Sequence, residues 1–224
     1  MQLQHSIDGG RPLDADLVAD LDAFLDRVAD APAGTVPVLH LSGAPAGPPA
    51  QRPAIGLVNK WERVLRRLER LPAPTVAAVA GDCGGTAVEA LLATDHRIAA
   101  AGSRLHLPAG AGGVWPGMGL YRLVNQAGYA RVRRSVLFGA PIPAARAAEL
   151  DLVDEVAAAP AAAVAAAVRE LSGAGGAEVA VRRQLMLDAT TTTFEEALGR
   201  HLAACDRLLR RAAGEGVPGV AAFA

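Results

Sequence analysis

Cysteine, lysine and aromatic residues are scarce in this chain, and each shortage narrows what it can be. Cys83 and Cys205 are the only cysteines among 224 residues, far apart in sequence, so a disulfide framework and a cysteine-built zinc site are both excluded and no metal is expected. Aromatic residues make up 4% of the chain against 51% hydrophobic residues overall, so the core must be built from closely packed Ala, Val and Leu. Basic and acidic residues nearly cancel, 22 against 23, leaving no electrostatic footprint for nucleic acid or an anionic membrane. Lys60 is the only lysine, so an anionic ligand would have to be met by arginine or by backbone amides. No apolar run reaches the roughly 18 residues of a membrane-spanning helix. The opening MQLQHSIDGGRPLD has neither a basic stretch nor an apolar one. A soluble, cytoplasmic protein is expected.

What is present alternates between two periodicities. Leu3 to Ile7 reads as an edge strand, and Leu17, Leu21, Phe24, Leu25 and Val28 fall at helical spacing between Asp14 and Ala29. Val36 to Leu41 is a buried strand, followed by the Pro- and Gly-dense loop SGAPAGPPAQRP. A helix over about 54–71 places Leu57, Trp61, Val64, Leu65 and Leu68 on one face, with Arg66, Arg67, Glu69 and Arg70 on a face expected to be solvated. Thr75 to Ala80 is nearly all small and apolar, as in a strand covered on both sides. A helix over Thr86 to Ala93, strands at Arg97 to Ala100, Arg104 to Leu107 and Val153 to Val156, and a chiefly helical remainder complete the reading. Strands alternating with helices define the class as α/β. Thr193 followed by Glu196 has capping-box spacing, and Leu198, Leu202, Cys205, Leu208 and Leu209 form an apolar stripe on the helix it starts.

The stretch GDCGGTAVEALLATD, 81–95, carries the chemistry. It lacks the Lys-Ser/Thr of a phosphate-binding loop, and Gly81, Gly84 and Gly85 do not have dinucleotide-fingerprint spacing. Cys83 would need a base beside it to act as a nucleophile and is more simply a small core residue. Two readings remain. A helix starting near Thr86 leaves its first amides without internal partners, able to hold an oxyanion, with Glu89 one turn on overhanging the same place. Alternatively, Thr86-x-x-Glu89 is a capping box, and the amide is occupied; spacing alone favours this commoner arrangement.

The wider segment LPAPTVAAVAGDCGGTAVEALLATDHRIAAAGSRLHLP, continuing through GGVWPGMGLYRL and FGAPIPAARAAELDLVDEV to Val156, resembles the crotonase (enoyl-CoA hydratase/isomerase) family. The resemblance implies a fold of repeated ββα units over residues 1–156, with 157–224 as a C-terminal helical region of the same domain. It implies a homo-oligomer, trimer or hexamer, acting on an acyl-coenzyme A thioester as substrate with no cofactor. It places an oxyanion amide on Thr86, beside Gly85, and a hydratase glutamate on Glu89, and so shifts the preference to the oxyanion reading. Trp115, Pro116 and Gly117 resemble the family's active-site loop, where Trp115 would wall the acyl pocket or pack in the core. Asp95 resembles a structural aspartate.

Two departures stand out. The second hydratase glutamate should follow Pro108, but Ala109 stands there, leaving Glu89 as the sole general acid/base. The loop that normally gives the other oxyanion amide is replaced by SGAPAGPPAQRPA, in which Pro45, Pro48 and Pro49 have no amide hydrogen and Gly47, Ala50 and Gln51 are candidate donors. His96 and His106 lie on strands near the turn as candidate bases, Asp82 is expected to bond local amides, and neither Ser42 nor Ser135 forms a legible triad. Within the family, the short length, the VNKWERVLRRLERLPA helix and the GDCGGTA turn look most like the small accessory enzymes of dihydroxyphenylglycine biosynthesis. That likeness implies dehydration or aromatisation of a polyketide thioester to 3,5-dihydroxyphenylacetyl-CoA beside a type III polyketide synthase. A non-catalytic partner of that synthase, and a generic enoyl-CoA hydratase, are the alternatives.

Overall fold

The computed structural model describes residues 3–47, 53–108, 117–174 and 176–213. In chain order it holds β1 (Gln4–Asp8), α1 (Ala15–Ala29), β2 (Val38–Gly43), α2 (Ile55–Glu69), β3 (Val76–Cys83), α3 (Gly85–Leu91), β4 (His96–Ala100), β5 (Arg104–Leu105) and α4 (Gly119–Ala127). These are followed by α5 (Tyr129–Phe138), β6 (Ile142–Pro143), α6 (Ala144–Glu149), β7 (Glu155–Ala157), α7 (Pro160–Leu171), α8 (Ala177–Ala189) and α9 (Phe194–Ala212). The sheet runs β1-β2-β3-β4-β7 with every neighbouring pair parallel; β5 pairs with the end of β3, and β6 runs antiparallel to β5. The α/β expectation holds, and β1 is an edge strand as its sequence predicts.

Period-2 alternation explains why the central strands carry so little polarity. Val38, Val76, Ala78 and Ile98 point to one face, where Val164 and Ala167 of α7 cover them. Leu39, Leu41, Ala77, Val79 and Ala99 point to the other, where Phe24 and Leu25 of α1 and Trp61, Leu65 and Leu68 of α2 complete the larger core. Asp14 caps α1 by accepting from Leu17 N at 2.8 Å. The first compact unit extends through Val179, so α7 belongs with the sheet it covers.

Two polar links fix β4. Asp95 accepts from the amide and hydroxyl of Thr75 (2.8 and 2.9 Å) while its own amide donates to the same hydroxyl, tying the starts of β3 and β4; this is the structural role expected of it. Arg97 is buried and donates to the carbonyls of Leu92 and Thr94 just past α3, and to Gln126 on α4. Burial draws its pKa below the ordinary value, opposed by Asp154, Asp95 and Glu69.

The second unit begins at Ala180 and contains most of α8 and all of α9. The capping box predicted at its last helix forms: Thr193 Oγ1 accepts from Glu196 N at 3.3 Å, and Glu196 Oε2 accepts from Thr193 N at 2.9 Å. Leu198, Leu202, Leu208 and Leu209 are exposed on α9, as is Cys205.

Candidate active site

The glycine turn starts where three strands end. Gly84 N donates to Gly43 O at 2.8 Å, and His106 N donates to Cys83 O at 2.8 Å, so the exits of β2, β3 and β5 converge there. Gly84 is the N-cap of α3, and its carbonyl accepts from Ala87 N and Val88 N. Gly85 follows with φ +51°, a left-handed conformation that side chains resist, and a Cβ there would stand 2.7 Å from Gly9 O. Glycine is therefore required at 85 on two counts.

This start settles the capping alternative. No side chain caps α3, and Thr86, already inside the helix and buried, keeps its hydroxyl without a hydrogen-bond partner among the described residues. The amides of Gly85 and Thr86 likewise find no acceptor among those residues, the condition an oxyanion site needs. Glu89 is turned away from the cap: its Oε2 accepts from Trp61 Nε1 at 2.6 Å, with Glu89 1% and Trp61 0% exposed.

Gly117 lies over Glu89. A Cβ placed on it would stand 3.1 Å from Glu89 Oε1 and overlap Glu62 Oε1, so the two carboxylates face one small space that a side chain at 117 would fill. Glu62 Oε1 accepts from Met118 N at 2.6 Å, and Glu62 Oε2 from Arg122 Nη1 at 2.8 Å. Arg122 Nε also donates to Glu69 at 2.6 Å, a pair in which both side chains are buried. Burial works against the Arg122 charge, but Glu69 and Glu62 hold its pKa above the ordinary value. The face of α2 expected to be solvated is thus partly interior, because Glu69 turns inward to meet an arginine from α4. Sequence reasoning passed over Glu62, and took Trp61 only as core. The available signal was a Glu62/Glu69 spacing of seven, two helical turns on one face, next to a tryptophan in a chain nearly devoid of aromatics.

The remaining candidates separate from this centre. Cys83 is buried, and burial pushes its thiol up to about 12, which removes it as a nucleophile. Among the described residues Asp82 bonds no local amide; it pairs with His106 Nε2 at 3.0 Å and Arg104 Nε at 2.9 Å, and His106, then Arg104, hold its carboxyl below the ordinary value. His96 starts β4 beside Asp154, at the opposite end of the parallel strands from the glycine turn. Trp115 and Ala109 lie outside the described residues, as do Pro48, Pro49, Ala50 and Gln51. Of the rebuilt loop, Pro45 packs its ring against Gly85, 3.2 Å from where a Cβ would be, and Gly47 is exposed. The loop residue against Gly85 thus has no amide hydrogen, whereas Ala44, against Gly84, has one.

The family model for enoyl-CoA hydratase/isomerase matches residues 50–213, and the chain belongs to that family. An enoyl-CoA hydratase of Amycolatopsis orientalis is 50% identical over 213 residues, covering 95% of this chain and 98% of the relative. Among solved structures, an enoyl-CoA hydratase/isomerase family protein of Silicibacter pomeroyi is similar in fold, with TM-score 0.77 and 21% identity, covering 98% of each chain. So is an enoyl-CoA hydratase of Bacillus anthracis, with TM-score 0.75 and 22% identity, covering 92% of this chain and 86% of that one.

Proposed function

We propose that the chain is an enoyl-CoA hydratase-like lyase in which Glu89 moves the proton and the amides of Gly85 and Thr86 hold the thioester oxygen. The observation that carries this is the buried Glu89 carboxylate fixed one turn behind two amides that have no acceptor among the described residues. In the dehydration direction, Glu89 takes the proton from the carbon next to the thioester carbonyl. The electron pair moves onto the carbonyl oxygen against those amides, then returns to form the double bond as the β-hydroxyl leaves. The departing oxygen takes the proton from Glu89 and leaves as water, so one carboxylate serves both halves of the reaction.

The comparisons fit enoyl-CoA hydratase chemistry in general. The finer reading rests on the resemblance and on the site's departures: a polyketide thioester losing water on its way to 3,5-dihydroxyphenylacetyl-CoA, beside a type III polyketide synthase, with the protein as a homo-oligomer. Aromatisation of a cyclised polyketide is dehydration driven by the stability of the ring, a reaction one carboxylate can serve. Ala109 in place of a glutamate and Pro45 against the oxyanion turn favour one rival, a non-catalytic partner that shapes the synthase product by binding it.

Glu89→Gln separates these. The amide keeps an oxygen for the Trp61 N–H, so the protein should stay folded, while proton transfer is lost. Reconstituted with the synthase, the variant should enhance aromatic product formation about 10² or more below wild type. A fully folded Glu89→Gln protein with unchanged enhancement leaves the binding partner as the account. Turnover of crotonyl-CoA at the rate of a two-glutamate hydratase would instead point to the generic enzyme.

A further inference from the structure

We propose that Trp61 is the positioning residue of Glu89, its indole fixing Oε2 and confining the transferable proton to Oε1, the oxygen turned toward Gly117. The inference rests on the reading of Glu89 as the acid/base. Trp61 occupies the centre of the buried face of α2, between Val58 and Val64, with its whole side chain out of water. A buried indole N–H requires an acceptor, and at 2.6 Å Glu89 Oε2 provides one. An indole nitrogen donates and cannot accept. A hydroxyl oxygen accepts more weakly than a carbonyl oxygen, so a proton on Oε2 weakens the N–H bond, whereas a proton on Oε1 leaves the indole on the better acceptor. The tryptophan thus decides which carboxylate oxygen takes and returns the proton. That oxygen shares the space under Gly117 with Glu62, whose own charge is matched by Arg122.

The bond also favours the charged form of the carboxylate over the neutral one. Removing the donor makes Glu89 harder to ionise, and because the base must be ionised to act, the acid limb of the rate profile moves to higher pH. Glu62, facing Glu89 across Gly117, and Arg122 behind it remain in place in such a variant, so their contribution to the limb is common to both proteins.

The test replaces Trp61 site-specifically with 3-benzothienylalanine, which keeps the ring shape and substitutes sulfur for N–H, with Trp61→Phe as a second variant. In the synthase reconstitution, kcat should fall about ten- to hundredfold with KM within about twofold, and the acid limb should move to higher pH. The indole proton resonance of Trp61, assigned by its loss in Trp61→Phe, should move on Glu89→Ala. Unchanged kcat and pH profile in the folded isostere, with Glu89→Gln inactive, overturns the inference and leaves the function standing. An indole resonance indifferent to Glu89→Ala also overturns it. Full activity in Glu89→Gln removes the inference together with the reading beneath it.

Discussion

Cys83 and Glu89 are six residues apart and both buried, yet only the carboxylate has a polar donor against it among the described residues. The thiol has no polar partner to favour its charged form, so desolvation alone acts and its pKa reaches about 12. At pH 8 almost none of it is thiolate, and iodoacetamide should label native protein at Cys205 and leave Cys83 untouched until the fold is opened by denaturant. Peptide mapping after brief labelling checks this, and modification of Cys83 in the native state would contradict its burial. The carboxylate has an indole donor instead. This difference was illegible in sequence. GDCGGTAVE gives the types and their order, but the partner of Glu89 comes from a helix 28 residues earlier whose tryptophan reads, by periodicity, as core. The Thr86-x-x-Glu89 spacing even pointed the wrong way, because Gly84 is the N-cap and the left-handed Gly85 starts the helix two residues sooner than a Thr86 cap would, leaving Thr86 inside it.

At the scale of the element, α3 is short and held at both ends by unlike means. Its first amides face the site, while the carbonyls just beyond its last turn receive the guanidinium of Arg97, whose strand runs back alongside β3. A cation at the C-terminal end complements the helix dipole as an anion at the other end would. Arg97→Met should leave the carbonyl of Thr94 and the side-chain oxygen of Gln126 without their donor, with Leu92 O keeping only Gln126 Nε2, and lower stability by about 2 to 4 kcal/mol in denaturant titration. A loss below about 0.5 kcal/mol would show that water replaces the guanidinium freely. The first two helices and every strand but the two-residue β6 were legible to within a few residues, because period-2 and helical apolar patterns are local properties of the chain. The inward turn of Glu69 was not, since it depends on Arg122 more than 50 residues away.

For the whole molecule, the exposed leucines of α9 are the largest unmet demand. Leu202 is 58% and Leu209 70% exposed on a helix well capped at its start and with basic residues in its last turn, so the helix is stable enough to present them. If subunits of the proposed oligomer meet there, removing Thr193 onward should reduce the mass seen by light scattering to that of a smaller assembly; retention of the full-length subunit number would place the interface elsewhere. A different constraint comes from Gly9, where a Cβ would overlap Gly84 O and stand 2.8 Å from Gly43 O. The residue that follows the first strand and the N-cap of α3 therefore share one volume, although 75 positions separate them in the chain. A side chain at position 9 could be admitted only by moving the glycine turn, so the end of the first strand acts as a stop that sets where α3 begins.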